Sequence, residues 1–181
     1  FMTEEETFKS QREYSRVSVF IPVQIRLLSS EDHHRVKSRL SGDAVLAGFK
    51  KLPSIEDQCT AEWLALLNNK LDTIIRMLTF DHEGFFSLPY MSVNISAGGM
   101  SFHSAEAYNA GDILEIKTLL NTPRPIALYL YGEVVNVEPQ EDLYVICTQF
   151  VLMDEMIRDE IIRFVFEKER EILREKRRGL F

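Results

Sequence analysis

The sequence predicts a mainly β protein with helices: a six-stranded, mostly antiparallel β-barrel, an inserted helical segment and a C-terminal α-helix. Six short runs rich in β-branched and aromatic residues are separated by glycine, proline, asparagine or acidic turns. Helical periodicity occurs in two places, after the first run and at the end of the chain. We expect the strands to close into a barrel, because closure removes exposed strand edges.

Composition limits the class of protein. The chain has 181 residues, 45% hydrophobic and 27% charged, which suits one globular domain with an elaboration. Its formal net charge of −7 argues against nucleic acid as a partner, because a general nucleic-acid binder requires a basic face. No run of about 18 apolar residues occurs, and the acidic start lacks the apolar core of a signal peptide. We therefore expect a cytoplasmic protein without a membrane span.

The first predicted strand runs from Val17 to Leu28 and is rich in β-branched residues. Pro22 cannot donate to a strand ladder, so the sequence predicts an edge or a bulge at that position. Residues 29–52 then mix charged and apolar side chains without a clear period. Because Ser30–Asp32 resembles a helix cap, this stretch predicts helix and loop.

The clearest helix runs from about Pro53 to about Phe80, with acidic residues at its start and no internal glycine or proline. Apolar residues recur along it at alternating spacings of three and four, which is the a/d pattern of a coiled coil. A stripe this wide favours self-association, and packing against the helix's own domain is the alternative. The predicted oligomer interface consists of Leu64, Leu67, Leu71, Ile74 and Leu78.

The rest of the chain predicts five strands and a final helix. The helix, from Asp154 to about Arg177, has one apolar face and an opposite face with i,i+4 charge pairs. We interpret its charged face as solvated rather than as a nucleic-acid surface. The strands are predicted at Phe86–Asn94, Gly99–Ser104, Asp112–Leu120, Ile126–Val137 and Asp142–Leu152.

A short cationic arm precedes the first strand, in the stretch Gln11-Arg12-Glu13-Tyr14-Ser15-Arg16. A guanidinium fork is planar and permanently charged, so it suits phosphate oxygens and the edges of guanine. The two arginines therefore predict a local site for an anionic, nucleotide-like ligand. Ordinary solvated charge is the alternative, and it is the commoner role of an exposed arginine pair.

A second polar stretch, Asn94-Ile95-Ser96-Ala97-Gly98-Gly99, lies between two predicted strands. Its amide and hydroxyl groups can hydrogen-bond a base edge, and its glycines allow a sharp turn and a close approach to a ligand. The same residues also suit an Asx turn that closes a hairpin.

Together the two stretches resemble the PilZ domain family, whose pattern is Arg-x-x-x-Arg before the first barrel strand and Asp/Asn-x-Ser-x-x-Gly after the second. The resemblance implies one discontinuous PilZ-like domain, formed by residues 10–28 and 86–181. It makes residues 29–85 an inserted helical oligomerisation module. The motif positions are filled by Arg12, Arg16, Asn94, Ser96 and Gly99.

The family resemblance implies a receptor for bis-(3′-5′)-cyclic dimeric GMP (cyclic di-GMP), a bacterial second messenger, with no cofactor. Arg12 and Arg16 would bind its phosphates and stack on or hydrogen-bond to guanine. Asn94 and Ser96 would read a guanine edge, and Gly99 would let the turn approach the ligand. The signal would pass on through a conformational change in an oligomer.

Minor ligand contacts are expected from Gln11 and Gly98. Gln11 stands where many members of the family have a further basic residue, which implies weaker affinity or one bound molecule instead of two. The alternative is a PilZ-like scaffold that binds no nucleotide and acts through helix-mediated assembly or a downstream protein partner.

Nothing in the sequence predicts an enzyme or a metal site. His82 and His103 have no nearby Cys or His partner, and Ser96 has no histidine base in its sequence context. Cys59 and Cys147 are too few and too far apart for a disulfide framework, so we expect reduced thiols.

Overall fold

The computed structural model describes most of the chain. Predictions for Gln11, Arg12 and the cap at Ser30–Asp32 lie outside the described residues. The described residues are 14–29, 37–41, 55–122 and 125–179.

The described residues form a barrel of antiparallel strands with two α-helices. The elements are β1 (Arg16–Leu27), β2 (Arg39–Leu40), α1 (Gln58–His82), a 3₁₀ helix (Phe85–Ser87), β3 (Tyr90–Ser96), β4 (Gly99–Ser104), β5 (Ile113–Leu120), β6 (Ile126–Gln140), β7 (Leu143–Phe150) and α2 (Glu155–Arg178). Six strands pair in the order β6-β5-β1-β3-β4-β7, and β7 pairs with β6 to close the barrel. The short β2 adds to β6 outside this ring. The predicted six-stranded antiparallel barrel with a C-terminal helix is confirmed.

Pro22 lies at neither an edge nor a bulge, so that prediction is wrong. β1 pairs with β3 through Arg16–Pro22 and with β5 through Val23–Leu27. Pro22 therefore stands where the strand changes partner. Its carbonyl accepts a hydrogen bond from the Thr118 hydroxyl at 2.9 Å. A residue without an N–H is tolerated at this changeover between two ladders.

The first strand after α1 starts later than its sequence suggests. Phe85–Ser87 forms the 3₁₀ helix, and β3 begins at Tyr90 rather than at Phe86. Gly84 introduces this turn with a φ of 73°, in the left-handed region that favours glycine. Phe85 is then completely buried. Burial of an aromatic side chain, rather than strand pairing, decides the local structure here.

Helix α1 begins at Gln58, because Asp57 caps it. The Asp57 carboxylate accepts the N–H of Thr60 at 2.8 Å. Hydrogen bonds from the side chain and the backbone of Thr60 lower the pKa of Asp57. The sequence predicts that Glu56 and Asp57 lie in the first turn of this helix. In the structure they precede the first turn. The helix ends at His82, close to the predicted Phe80.

One hydrophobic core fills the barrel and extends under α2. Helix α2 packs against β1 and β3 and presents one apolar face to them. The side chains that α2 buries recur at helical spacing, as its amphipathic sequence predicts. They are Ile157, Ile161, Phe164 and Val165.

A second, smaller contact joins the end of α1 to the barrel, and we call it the helix joint. Phe80 and Phe85 pack there against the barrel. The Glu83 carboxylate accepts a hydrogen bond from the Tyr129 hydroxyl at 2.8 Å, and the Lys117 ammonium donates to the Glu83 carbonyl. The helix joint, formed by Phe80, Glu83, Phe85, Lys117 and Tyr129, fixes where α1 leaves the barrel.

The rest of α1 stands away from the barrel core. Phe80 is its only buried residue. The alternative in which α1 packs along its own domain is therefore wrong for the described residues. The five stripe residues Leu64, Leu67, Leu71, Ile74 and Leu78 are 40–65% exposed. Among the described residues, neither helix is apolar enough over sufficient length to cross a bilayer.

Candidate ligand-binding site

Strand pairing brings the two predicted motifs together. Arg16 is the first residue of β1, and in the β1–β3 ladder it lies opposite Ser96. Asn94 lies opposite Ser18 in the same ladder. Arg16 and Ser96, 80 residues apart in sequence, therefore lie at the same end of the barrel.

A cleft of about 550 Å³ opens at this end. This volume is within the range of clefts that hold small molecules. Within the part of the chain that the structure describes, two arginines line it and no aspartate or glutamate does. Its lining consists of Tyr14, Arg16, Asn94, Ser96, Gly98, Gly99, Met100, Ser101, Val135, Cys147, Thr148, Gln149, Phe150 and Arg158.

Arg16 is an exposed cation at the rim of the cleft. Among the residues that the structure describes, no carboxylate lies within ion-pair distance of its guanidinium. By contrast, Arg26 at the other end of β1 is paired with Glu115 at 2.7 Å. Within the described residues, Arg16 is thus an exposed cation without a carboxylate partner, in a chain whose net charge is −7.

Asn94 presents its amide beside this cation. Its Nδ2 donates to the Ser18 hydroxyl at 2.9 Å, which holds the side chain across the two strands. The carbonyl of such an amide accepts hydrogen bonds, and the N1–H and amino groups of a guanine edge donate them. A contact between Asn94 and a guanine edge stays a prediction.

Ser96 serves the turn more than the cleft. Its side chain is buried, its hydroxyl donates to the Gly99 carbonyl at 3.3 Å, and it accepts the Gly98 N–H at 3.3 Å. The Ser96 hydroxyl thus uses both its donor hydrogen and its acceptor oxygen within the β3–β4 hairpin. The structure assigns Ser96 a part in shaping the turn, which differs from the direct reading of a guanine edge that the motif predicts.

Gly99 is required by strand packing and not by turn conformation. A turn does separate β3 from β4, and neither Gly98 nor Gly99 has a left-handed backbone in it. A Cβ at Gly99 would lie 2.1 Å from the Thr148 carbonyl oxygen, whereas a Cβ at Gly98 would meet the Tyr14 ring at 3.2 Å. The absence of a side chain at Gly99 lets β4 approach β7 directly behind the cleft.

Arg158 and Tyr14 are cleft residues that the sequence did not identify. Arg158 lies on α2, and its Nη1 donates to the Ala97 carbonyl at 3.3 Å and to the Tyr14 hydroxyl at 3.4 Å. Its guanidinium carbon lies 5.6 Å from the centroid of the Tyr14 ring. The available sequence signal was that Arg158 directly follows Ile157, a residue of the apolar face of α2. It indicated only that Arg158 borders the apolar face of α2.

A bulge in β6 shapes the opposite wall. Val134 pairs with Thr148 and Asn136 with Cys147, so Val135 is the extra residue. Val135 is half exposed and faces the cleft.

Burial raises the pKa of the Cys147 thiol, the charge of Glu138 adds to this rise, and the nearby Arg16 charge opposes it. Cys147 therefore lines the cleft as a neutral thiol.

The described residues thus form a small antiparallel barrel with a cleft at one end that two arginines line. The described residues include no cluster of His, Cys, Asp and Glu that could hold a metal ion. The family model of the PilZ domain matches residues 74–167, more than half of the chain. The chain belongs to the PilZ domain family, whose members are in general cyclic di-GMP receptors. The matched segment begins within α1 and does not include Arg16.

A solved structure has the same fold. It is a pathogenic protein from Xanthomonas campestris, described as a tetrameric PilZ domain self-assembled through a helical bundle. The two chains share 15% sequence identity with a TM-score of 0.56, and the similarity covers 89% of this chain and 91% of that one. At this identity the likeness shows the fold alone. No curated protein sequence matches the chain.

Proposed function

We propose that the cleft binds cyclic di-GMP. The observation that carries this proposal is the juxtaposition of Arg16, which has no carboxylate partner among the described residues, with the polar turn of β3 and β4 across one ladder. Cyclic di-GMP carries two phosphate charges and two guanine edges. A permanently charged fork and an amide next to each other suit those two features.

Each motif residue has a separate task in this proposal. Arg16 binds a phosphate or the face of a guanine, and Arg12, which precedes the described residues, supplies a second guanidinium from the arm. Asn94 accepts hydrogen bonds from a guanine edge, while Ser96 and Gly99 keep the turn in place. Gln11 and Gly98 provide minor contacts.

Binding would reach the rest of the molecule through the arm. Ser15 donates a hydrogen bond to Glu169 of α2, and Tyr14 contacts Arg158 of the same helix. Closure of the arm over a phosphate would therefore shift contacts on α2. A charged segment that becomes ordered over an anion couples affinity to conformation.

Calorimetric titration of cyclic di-GMP into the full chain tests this proposal. We expect Arg16→Gln to weaken binding about tenfold to a hundredfold, because a charged hydrogen bond to phosphate is lost. Arg26→Gln is the matched control, since Arg26 lies on the same strand and is paired with Glu115 away from the cleft. Cyclic di-AMP, which lacks the guanine donors, should bind more weakly than cyclic di-GMP. The absence of heat with the wild-type chain would refute the proposal.

We also propose that α1 joins copies of the chain into an oligomer. The exposed stripe of Leu64, Leu67, Leu71, Ile74 and Leu78 supports this proposal, because an unpartnered apolar stripe with coiled-coil spacing is stable only when a second helix covers it. This assembly would persist in a chain that binds no nucleotide, so it also supports the alternative function of a scaffold that recruits a downstream protein.

Sedimentation of α1 variants tests the assembly. Leu71→Asp combined with Ile74→Asp should reduce the mass towards that of one chain. Asn69→Asp combined with Thr73→Asp is the matched control, because it adds the same two charges on the opposite face of α1. An equal mass for the two double variants would rule out the stripe as the interface. An assembly that persists without any cyclic di-GMP binding would favour the scaffold.

A further inference from the structure

The helix α2 contributes a cation to the cleft that belongs to neither sequence motif. Arg158 lies in the first turn of α2 and lines the cleft together with Arg16. Its hydrogen bond to the Ala97 carbonyl directs it to the turn between β3 and β4. The cleft is therefore bounded by three parts of the chain: the arm, the turn and α2.

The charge of Arg158 is not neutralised within the described residues. No carboxylate lies within ion-pair distance of it, although α2 is rich in glutamate. Arg163, one and a half turns further along the same helix, is paired with Glu160 at 2.9 Å. An arginine that is half-buried and unpaired loses hydration without gaining a counter-charge. A bound anion would supply the missing counter-charge.

The partners that Arg158 does have are weak ones. Its two hydrogen bonds, at 3.3 and 3.4 Å, go from Nη1 to a carbonyl and to a phenol, both neutral. Both distances exceed the usual range for such bonds. Nε and Nη2 make no hydrogen bond to the described residues, so one edge of the guanidinium fork is available. Two parallel N–H groups on one edge match two oxygens of a phosphate.

We propose that Arg158 binds a phosphate oxygen of the ligand in this cleft and so makes α2 part of the binding site. This inference rests on the proposed function, because it assigns a further contact to the same ligand. Tyr14 supports Arg158 from the arm, where it stacks near the guanidinium. Ligand binding then draws the arm, the turn and α2 onto one anion.

The test compares arginine variants on one helix by calorimetry with cyclic di-GMP. We expect Arg158→Gln to raise Kd about tenfold to a hundredfold and Arg158→Lys to raise it less, because lysine keeps the charge but lacks the fork. Arg163→Gln is the matched control and should leave Kd unchanged. The dependence of Kd on KCl should become shallower in Arg158→Gln, a change that a merely structural role would not produce.

Thermal unfolding without ligand checks that Arg158→Gln folds, and its midpoint should equal that of Arg163→Gln. Equal Kd values and equal salt dependence in the wild type and Arg158→Gln would overturn the inference. If the wild type itself fails to bind cyclic di-GMP, the proposed function fails, and inorganic pyrophosphate then becomes the probe. A pyrophosphate-induced rise in the unfolding midpoint that Arg158→Gln loses supports the phosphate contact. An equal rise in both proteins, or none in either, contradicts it.

Discussion

The helix joint and the cleft each hold charged groups beside a tyrosine, but the helix joint includes a carboxylate and the described lining of the cleft does not. At the helix joint, Glu83 accepts hydrogen bonds from Tyr129 and Ser41, and Lys117 donates to the Glu83 carbonyl. In the cleft, Arg16 and Arg158 lie beside a tyrosine but have no carboxylate partner among the described residues. Polar groups that are all hydrogen-bonded stabilise a fold. Cations without a nearby carboxylate give a positive potential that attracts an anionic ligand.

The same contrast separates the two helices. Helix α1 touches the barrel only at its end, through the satisfied helix joint, and leaves its apolar stripe exposed. Helix α2 buries its apolar face on the barrel and carries Arg158 to the cleft. Under the proposed function, α1 would serve assembly and α2 would contribute to ligand binding.

Gly99→Ala should produce the largest effect, because it attacks the strand packing behind the cleft. The added Cβ would meet the Thr148 carbonyl oxygen, and β4 would have to move away from β7. We expect the free energy of unfolding to fall by about 3 kcal/mol or more, measured by urea denaturation. Gly98→Ala, whose Cβ faces the movable Tyr14 ring, should cost less than about 1 kcal/mol. Equal losses of unfolding free energy in the two variants would show that the packing of β4 against β7 does not depend on Gly99.

Tyr129→Phe should weaken the fold without affecting the ligand. Loss of the hydroxyl removes one of the two donors to the Glu83 carboxylate, and we expect a loss of about 1 kcal/mol of unfolding free energy. The Kd for cyclic di-GMP should not change. Tyr144→Phe is the control, since the Tyr144 hydroxyl has no hydrogen bond within the described residues. A change in Kd for Tyr129→Phe would break the separation between the helix joint and the cleft.

Alkaline pH should weaken the helix joint. Burial and the Glu83 carboxylate raise the pKa of Tyr129 from its ordinary value of 10.0 to about 12. Above pH 10 the unfolded chain loses this proton while the folded chain keeps it, so stability from this group falls as pH rises towards 12.

Urea midpoints measured from about one pH unit below to about one and a half pH units above the ordinary tyrosine pKa, that is, from about pH 9 to about pH 11.5, check this expectation. The wild type should lose more stability over this range than Tyr129→Phe does. Parallel curves for the two proteins would mean that the Glu83 contact does not distinguish the folded from the unfolded tyrosine.

Ser15→Ala should produce the smallest effect. It removes the hydrogen bond from Ser15 to Glu169, which is exposed to solvent. We expect less than about 0.5 kcal/mol of unfolding free energy to be lost. A larger loss would mean that the arm is a fixed part of the fold, as the helix joint is, and would contradict an arm that rearranges on binding. Ser104→Ala, at the far end of β4, is a suitable control for loss of a surface hydroxyl.

Local patterns determined a large part of this protein in advance. Strand periodicity and turn residues predicted the six barrel strands, and the apolar spacing in α1 and α2 predicted both helices. The spacing of Arg12, Arg16, Asn94, Ser96 and Gly99 indicated the PilZ family, to which the chain belongs. These features depend on residue type and short-range order, so the sequence alone contains them.

The tertiary structure decided which groups face one another. Tyr14 and Arg158 are 144 residues apart, and only the packing of α2 on β1 and β3 brings them together. The bulge at Val135 depends likewise on the register of two strands. Whether an arginine is paired or left for a ligand is a property of its neighbours in space. Sequence periodicity therefore located Arg158 on a helix, and only long-range packing located it in the cleft.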